Sequence, residues 1–116
     1  MGASQRRKGA VGEREAADAL YEATGMAWRR TAPLQTHGGG RTCPDIDCDD
    51  VQHPGLHCEV KRGKRTSPKA ALEQAERDCG ARVPWALTRD DRGEWTVTVR
   101  LRHLRQLARL LWPGGA

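Results

Sequence analysis

A single α/β domain is predicted by three features of this sequence. Apolar residues recur at three-and-four spacing over about 11–24, 68–79 and 101–111, which is helical periodicity. Stretches around 45–48, 56–62, 83–88 and 94–99 alternate or run apolar in the manner of strands. Turn-forming residues punctuate the joints: Gly25, Asp49-Asp50, Ser67-Pro68, Gly80 and Asp90-Asp91-Arg92-Gly93. The 116 residues fit one domain, 1–116, with a small core, and there is no internal repeat.

The first nine residues are basic, small and Gly-containing, the composition of a flexible end. The first helix is expected from Val11 to about Thr24, with Ala16, Ala17, Leu20 and Thr24 inward and Arg14, Glu15, Asp18 and Glu22 outward. Gly25 stops it. Met26–Thr31 reads as a strand, followed by a loop through His37-Gly38-Gly39-Gly40-Arg41. Residues 45–48 and Leu56–Arg62 form two further strands. Ser67 caps a second helix with Pro68 at its first position, and that helix ends at Gly80 with Ala71, Leu72 and Ala75 inward. Val83–Thr88 is an apolar strand. The turn at 90–93 leads into Glu94–Val99, where Trp95, Val97 and Val99 share a face. A last helix, Leu101–Leu111, carries a stripe of Leu104, Leu107, Ala108 and Leu111.

The chain has a net charge of +5 and a pI near 9.4, which favours a polyanionic partner, nucleic acid first. No apolar run approaches the ~18 residues of a membrane span, and no secretion signal follows the N-terminal arginines. The expected location is intracellular (cytoplasmic), with Cys43, Cys48, Cys58 and Cys79 as reduced thiols.

The chemistry concentrates in two strands. On Cys43-Pro44-Asp45-Ile46-Asp47 and His57-Cys58-Glu59-Val60-Lys61, the apolar residues point one way. Asp45, Glu59 and Lys61 then converge on the opposite face, as a hard-cation site with an ammonium beside it. The Val60 carbonyl is a further candidate ligand. Glu13 lies on the buried side of the first helix, either as a third carboxylate of this site or as a first-turn acid favoured by the helix dipole. Gly38 and Gly39 could bring backbone amides to a phosphate, or belong to a plain loop. Arg29, Arg30, Arg41, Arg62, Lys64, Arg65 and Lys69 flank the centre and suit contacts to a phosphate backbone. With so few aromatics, base stacking on a single strand is not expected.

Taken together, Lys8-Gly9, Gly12-Glu13-Arg14-Glu15 opening a helix, the Gly-rich loop, Pro44-Asp45, Glu59-Val60-Lys61 and Gln74 on the next helix resemble the PD-(D/E)-x-K nuclease superfamily. Within it, the arrangement is most similar to the small Holliday-junction resolvases of archaea and related phage nucleases, over about residues 8–90. That resemblance implies a restriction-endonuclease-like α-β-β-β-α-β core around a mixed sheet, extended here by a hairpin strand and a helix. It implies magnesium-dependent phosphodiester hydrolysis, with manganese able to substitute, and a homodimer that cuts branched DNA. Glu13, Asp45 and Glu59 would be metal-binding carboxylates, Lys61 would sit by the scissile phosphate, and Gln74 matches a helix glutamine of the superfamily. Three other readings stand beside it. One is the same nuclease acting on nicked, flapped or linear DNA. Another is a zinc-binding module using Cys43, Cys48, Cys58, His37, His53 and His57. The last is a DNA-binding protein without catalysis.

Overall fold

The computed structural model describes residues 3–30, 46–48 and 55–114, with side chains described at 9–29 and 55–114. The elements are helix α1 (Ala3–Thr24), strands β1 (Trp28–Arg30), β2 (Ile46–Cys48) and β3 (Leu56–Gly63), helix α2 (Pro68–Asp78), strands β4 (Val83–Asp90) and β5 (Thr96–Val99), a 3-10 turn (Leu101–His103) and helix α3 (Leu104–Leu111). The five strands form one mixed sheet in the order β1-β2-β3-β4-β5. Its pairs are antiparallel except β3 with β4, which run parallel and are joined through α2. The structure is thus an α/β fold with a mixed sheet flanked by helices.

Helix α1 starts at Ala3, eight residues before the position that periodicity suggests. Ala3, Gln5, Arg6, Arg7, Lys8 and Ala10 are helix formers, and Gly9 among them costs only about 1 kcal/mol. The helix ends as expected at Gly25, whose φ is +76° and whose amide donates to Tyr21 O at 2.8 Å. Thr24 joins this end to the sheet. Its hydroxyl donates to Leu20 O (2.7 Å) and accepts from Met26 N (3.2 Å) and Trp28 Nε1 (3.1 Å).

Strand β3 is buried from Leu56 to Val60, so both its faces are covered. One face carries Leu56, Cys58 and Val60 and joins Val83, Trp85 and Leu87 of β4. Ala16, Ala17 and Leu20 of α1 and Leu107 and Leu111 of α3 close that core. On the other face, Ala71 and Leu72 of α2 pack on Ala86. Cys58 therefore lies on the apolar face, as expected of a small thiol. The opposite face, which carries Glu59, is covered in turn by α2.

Helix α2 has the predicted caps. Ser67 Oγ accepts from Ala70 N (3.2 Å), Pro68 takes the first position, and Gly80 beyond the helix has φ +56°. Its inward residues are Ala71, Leu72 and Ala75, as read from the spacing. Glu76 receives two hydrogen bonds from Arg100, Nε to Oε2 and Nη2 to Oε1, both 2.9 Å, with Arg102 at 3.6 Å. This clamp ties α2 to the segment before α3. The Arg100 hydrogen bond holds the Glu76 carboxyl below its ordinary value of 4.5. A depressed folded-state pKa stabilises the fold above 4.5, and that stability is lost as pH falls through the lower folded value. Glu76→Gln should therefore destabilise the chain at neutral pH. The gap to wild type should close below pH 4.5 in denaturant titrations run across pH.

The C-terminal part buries less of its apolar surface than its patterns offer. Only Leu107 and Leu111 of the stripe enter the core, while Leu104 is 50% exposed and Ala108 lies at the surface. The segment opens as a 3-10 turn, whose tighter winding shifts the phase of its first residues away from the sheet. Trp95, just before β5, and Val99 pack against the core, and Val97 on the same face as Val99 is 50% exposed, because this strand is the sheet's edge.

Candidate functional site

Glu59 and Lys61 stand two residues apart on β3, in register with Ala86 and Thr88 of β4, on the face covered by α2. Period-two alternation puts His57 on that same face. The Lys61 ammonium lies 3.5 Å from Glu59 Oε2. The two partners differ in access, since the Lys61 side chain is 47% exposed and that of Glu59 only 7%. The structure thus pairs a carboxylate withdrawn from water with an amine that reaches the surface.

Lys61 opens onto a recess of about 400 Å³ also lined by Arg62, Arg65, Thr66, Ser67, Gln74 and Arg77. Gln74 sits half-buried on α2, looking toward the sheet as its spacing suggests. No acidic side chain lines this recess. The first turn of α2 borders it, and the partial positive charge of a helix N-terminus adds to the field of the cations. The recess is therefore electropositive and suits a phosphate group.

The loop carrying Lys64 and Arg65 is anchored rather than loose. Thr66 donates to Asp90 Oδ1 from its amide (2.8 Å) and its hydroxyl (2.7 Å), and Asp91 N donates to Gly63 O (2.8 Å). These amide and hydroxyl bonds hold the Asp90 carboxyl below the usual carboxylate range. Lys64, Arg65 and Lys69 are exposed, and so is Arg29 on β1. Arg62 is exposed too, but its Nε lies 3.2 Å from Glu15 Oε1, an oxygen that Arg89 Nη1 also reaches at 3.1 Å. Glu15 is thus an anchor for two arginines rather than a solvated outer residue.

Glu13 is half-buried on α1, next to Gly12, and a Cβ built on Gly12 would stand 3.4 Å from Arg62 Cβ. This helix packs on the Cys58–Val60 face of the sheet, opposite the face that bears Glu59. Val60 is buried and in register with Leu87. Asp45, Gly38, Gly39 and Arg41 lie outside the described residues, and Arg30 is described in its backbone alone. So do His37, Cys43 and His53 of the zinc-module reading, while Cys48 is described only as part of β2. Ile46 pairs with Cys58, so one ladder pair adjoins Asp45 along one segment and Glu59 along the other.

One neighbour of Glu59 is absent from the sequence reading. Asp78, the last residue of α2, brings a carboxylate oxygen into a group with His57 and Glu59 in which all three donor atoms lie within 4.8 Å of one another. A signal for it exists in the sequence, since an acid in the last turn of a helix faces the negative end of the dipole. Among the described residues no helix is long and apolar enough to cross a membrane. Comparison with protein-family models, with curated proteins and with solved structures finds no match to this chain.

Proposed function

We propose that this chain is a metal-dependent DNA endonuclease of the PD-(D/E)-x-K kind, with a restriction-endonuclease-like core. The observation that carries the reading is the Glu59–Lys61 pair, a screened carboxylate 3.5 Å from an amine that lines an acid-free basic recess. A phosphodiester repels hydroxide because both are anionic, so hydrolysis needs positive charge at the phosphate and an activated water. Glu59 fits a hard cation as an oxygen donor out of bulk water, with Asp45 and the Val60 carbonyl as the other proposed donors. Bound there, magnesium or manganese would neutralise developing charge and acidify a water. Lys61 would stabilise the phosphoryl oxygens in the transition state, and Gln74 across the recess would orient the phosphate or the water. Glu13, on the helix packed against the opposite face of the sheet, is not among the proposed donors.

The substrate on this reading is branched DNA cut by a homodimer, since a four-way junction needs two symmetric cuts and each protomer brings one centre. The deciding experiment compares cleavage of a four-way junction with that of nicked, flapped and linear duplex, in Mg2+ and in chelator. Junction cleavage that stops in chelator is the expected result. Equal cleavage of linear duplex would sink the branched-DNA assignment, and no cleavage in Mg2+ or Mn2+ would sink catalysis. Arg65→Ala should weaken DNA binding on every sequence and lower the salt slope by roughly one unit, the loss of one phosphate contact. An unchanged slope would remove Arg65 from the DNA surface.

A further inference from the structure

Helix α2 ends over the sheet with an acid where a helix disfavours one. Asp78 closes the helix at its C-terminal, negative end, and its carboxylate faces His57 and Glu59 rather than open water. His57 is 0% and Glu59 5% exposed, and Asp78 is half-buried at the outer side of the group. We propose that His57, Glu59 and Asp78 form a site for a borderline divalent cation of the zinc or cobalt class.

Four properties of the group fit such an ion. The first is reach. Donors on one such ion sit at about 2.0–2.2 Å from it and so stand roughly 3.3–3.6 Å from one another in a tetrahedron, and three donor atoms already within 4.8 Å of one another reach that spacing with side-chain adjustments of about an ångström. The second is charge. Two carboxylates and a neutral imidazole balance a divalent ion, whereas two carboxylates crowded away from water repel each other. Lys61 lies against one oxygen of Glu59, and the carboxylate has a second oxygen to offer. The third is rigidity. His57 and Glu59 share one face of a strand paired on both sides, and α2 is fixed by its Ser67 cap and by the Glu76–Arg100 clamp. The fourth is selectivity. A nitrogen donor among oxygens favours zinc, cobalt or nickel over magnesium, which prefers oxygen alone. Three protein ligands would leave a fourth position for water or another ligand.

The site shares Glu59 with the proposed nuclease centre, and ion uptake, read without DNA, tests it apart from cleavage. The full chain is titrated with Co2+ in excess Mg2+ and followed by visible absorption. One equivalent should bind, with d–d bands and no sulfur-to-cobalt charge-transfer band. Asp78→Asn should weaken binding by at least ~10-fold, the scale of damage seen even for outer partners of metal ligands. Circular dichroism confirms that the variant is folded. His57→Gln should do the same, and if it fails to fold the Asp78 variant alone decides. The proposal is overturned by Asp78→Asn binding Co2+ as wild type does, or by charge-transfer bands that place the ion on thiolates. Ready displacement of Co2+ by Mg2+, or no saturable uptake, also overturns it. Cleavage in Mg2+ is a separate readout, so either idea can fail alone.

Discussion

Glu59→Gln is expected to bring metal-dependent cleavage to background while the chain stays folded. The substitution keeps the shape of the side chain and removes only its charge, at a position 5% exposed. Taking a charge out of a site withdrawn from water relieves a desolvation cost, and Lys61, at 47% exposed, keeps its own hydration. Stability should therefore change little. Cleavage should suffer in full, because a carboxamide is a poor ligand for a hard cation and no longer balances its charge. The companion variant, Lys61→Ala, should lose on the order of 10²–10³ in rate, as when one preorganised electrostatic partner of the transition state is removed. Single-turnover cleavage of labelled DNA, beside thermal melts of each variant, checks both. Wild-type rates in Glu59→Gln would take the reaction away from this strand.

The order of helices and strands was legible because each element carries its own local signal. Gly25 and Gly80 stop helices at positive φ, Ser67-Pro68 starts one, and the turn at 90–93 is closed by a bond from Gly93 N to Asp90 O of 2.8 Å. The inward residues of α1 and α2 followed from spacing alone. What one chain's pattern does not contain is which layers meet. Glu59 reads as half of an alternating, one-sided strand, yet α2 covers that side and buries it. Glu15 reads as an outer residue of a helix, yet Arg62 and Arg89 from two strands converge on it. The meeting of Asp78 with His57 depends on how α2 returns across the sheet, which no local pattern records. The pair Glu59 and Lys61 was legible as a motif of two residues on one face. The recess beside it, with Arg77 on its wall, needed the packing of α2 on β3.

The largest loss of stability is expected from Trp85→Ala. The chain has no Phe and one Tyr, so its tryptophans supply the aromatic bulk of the core. Trp85 is 1% exposed at the centre of β4, in register with Cys58 on β3 and Val99 on β5. Its ring lies 5.8 Å from that of Trp28, tilted by 51°, within the favourable range for an aromatic pair. Truncation to Ala should cost about 3–5 kcal/mol, a large share of the ~5–15 kcal/mol that holds a domain of this kind together. Trp85 Nε1 has no hydrogen-bond partner among the described residues, whereas Trp28 Nε1 donates to Thr24 at 3.1 Å. Trp85→Phe therefore gives up volume but no hydrogen bond, and an unpaired buried N–H disappears with it. Its cost should stay well below that of Trp85→Ala, under about 1.5 kcal/mol. Urea titrations followed by far-ultraviolet circular dichroism measure both. If Phe proved as damaging as Ala, the indole nitrogen rather than the ring's bulk would be what this position requires.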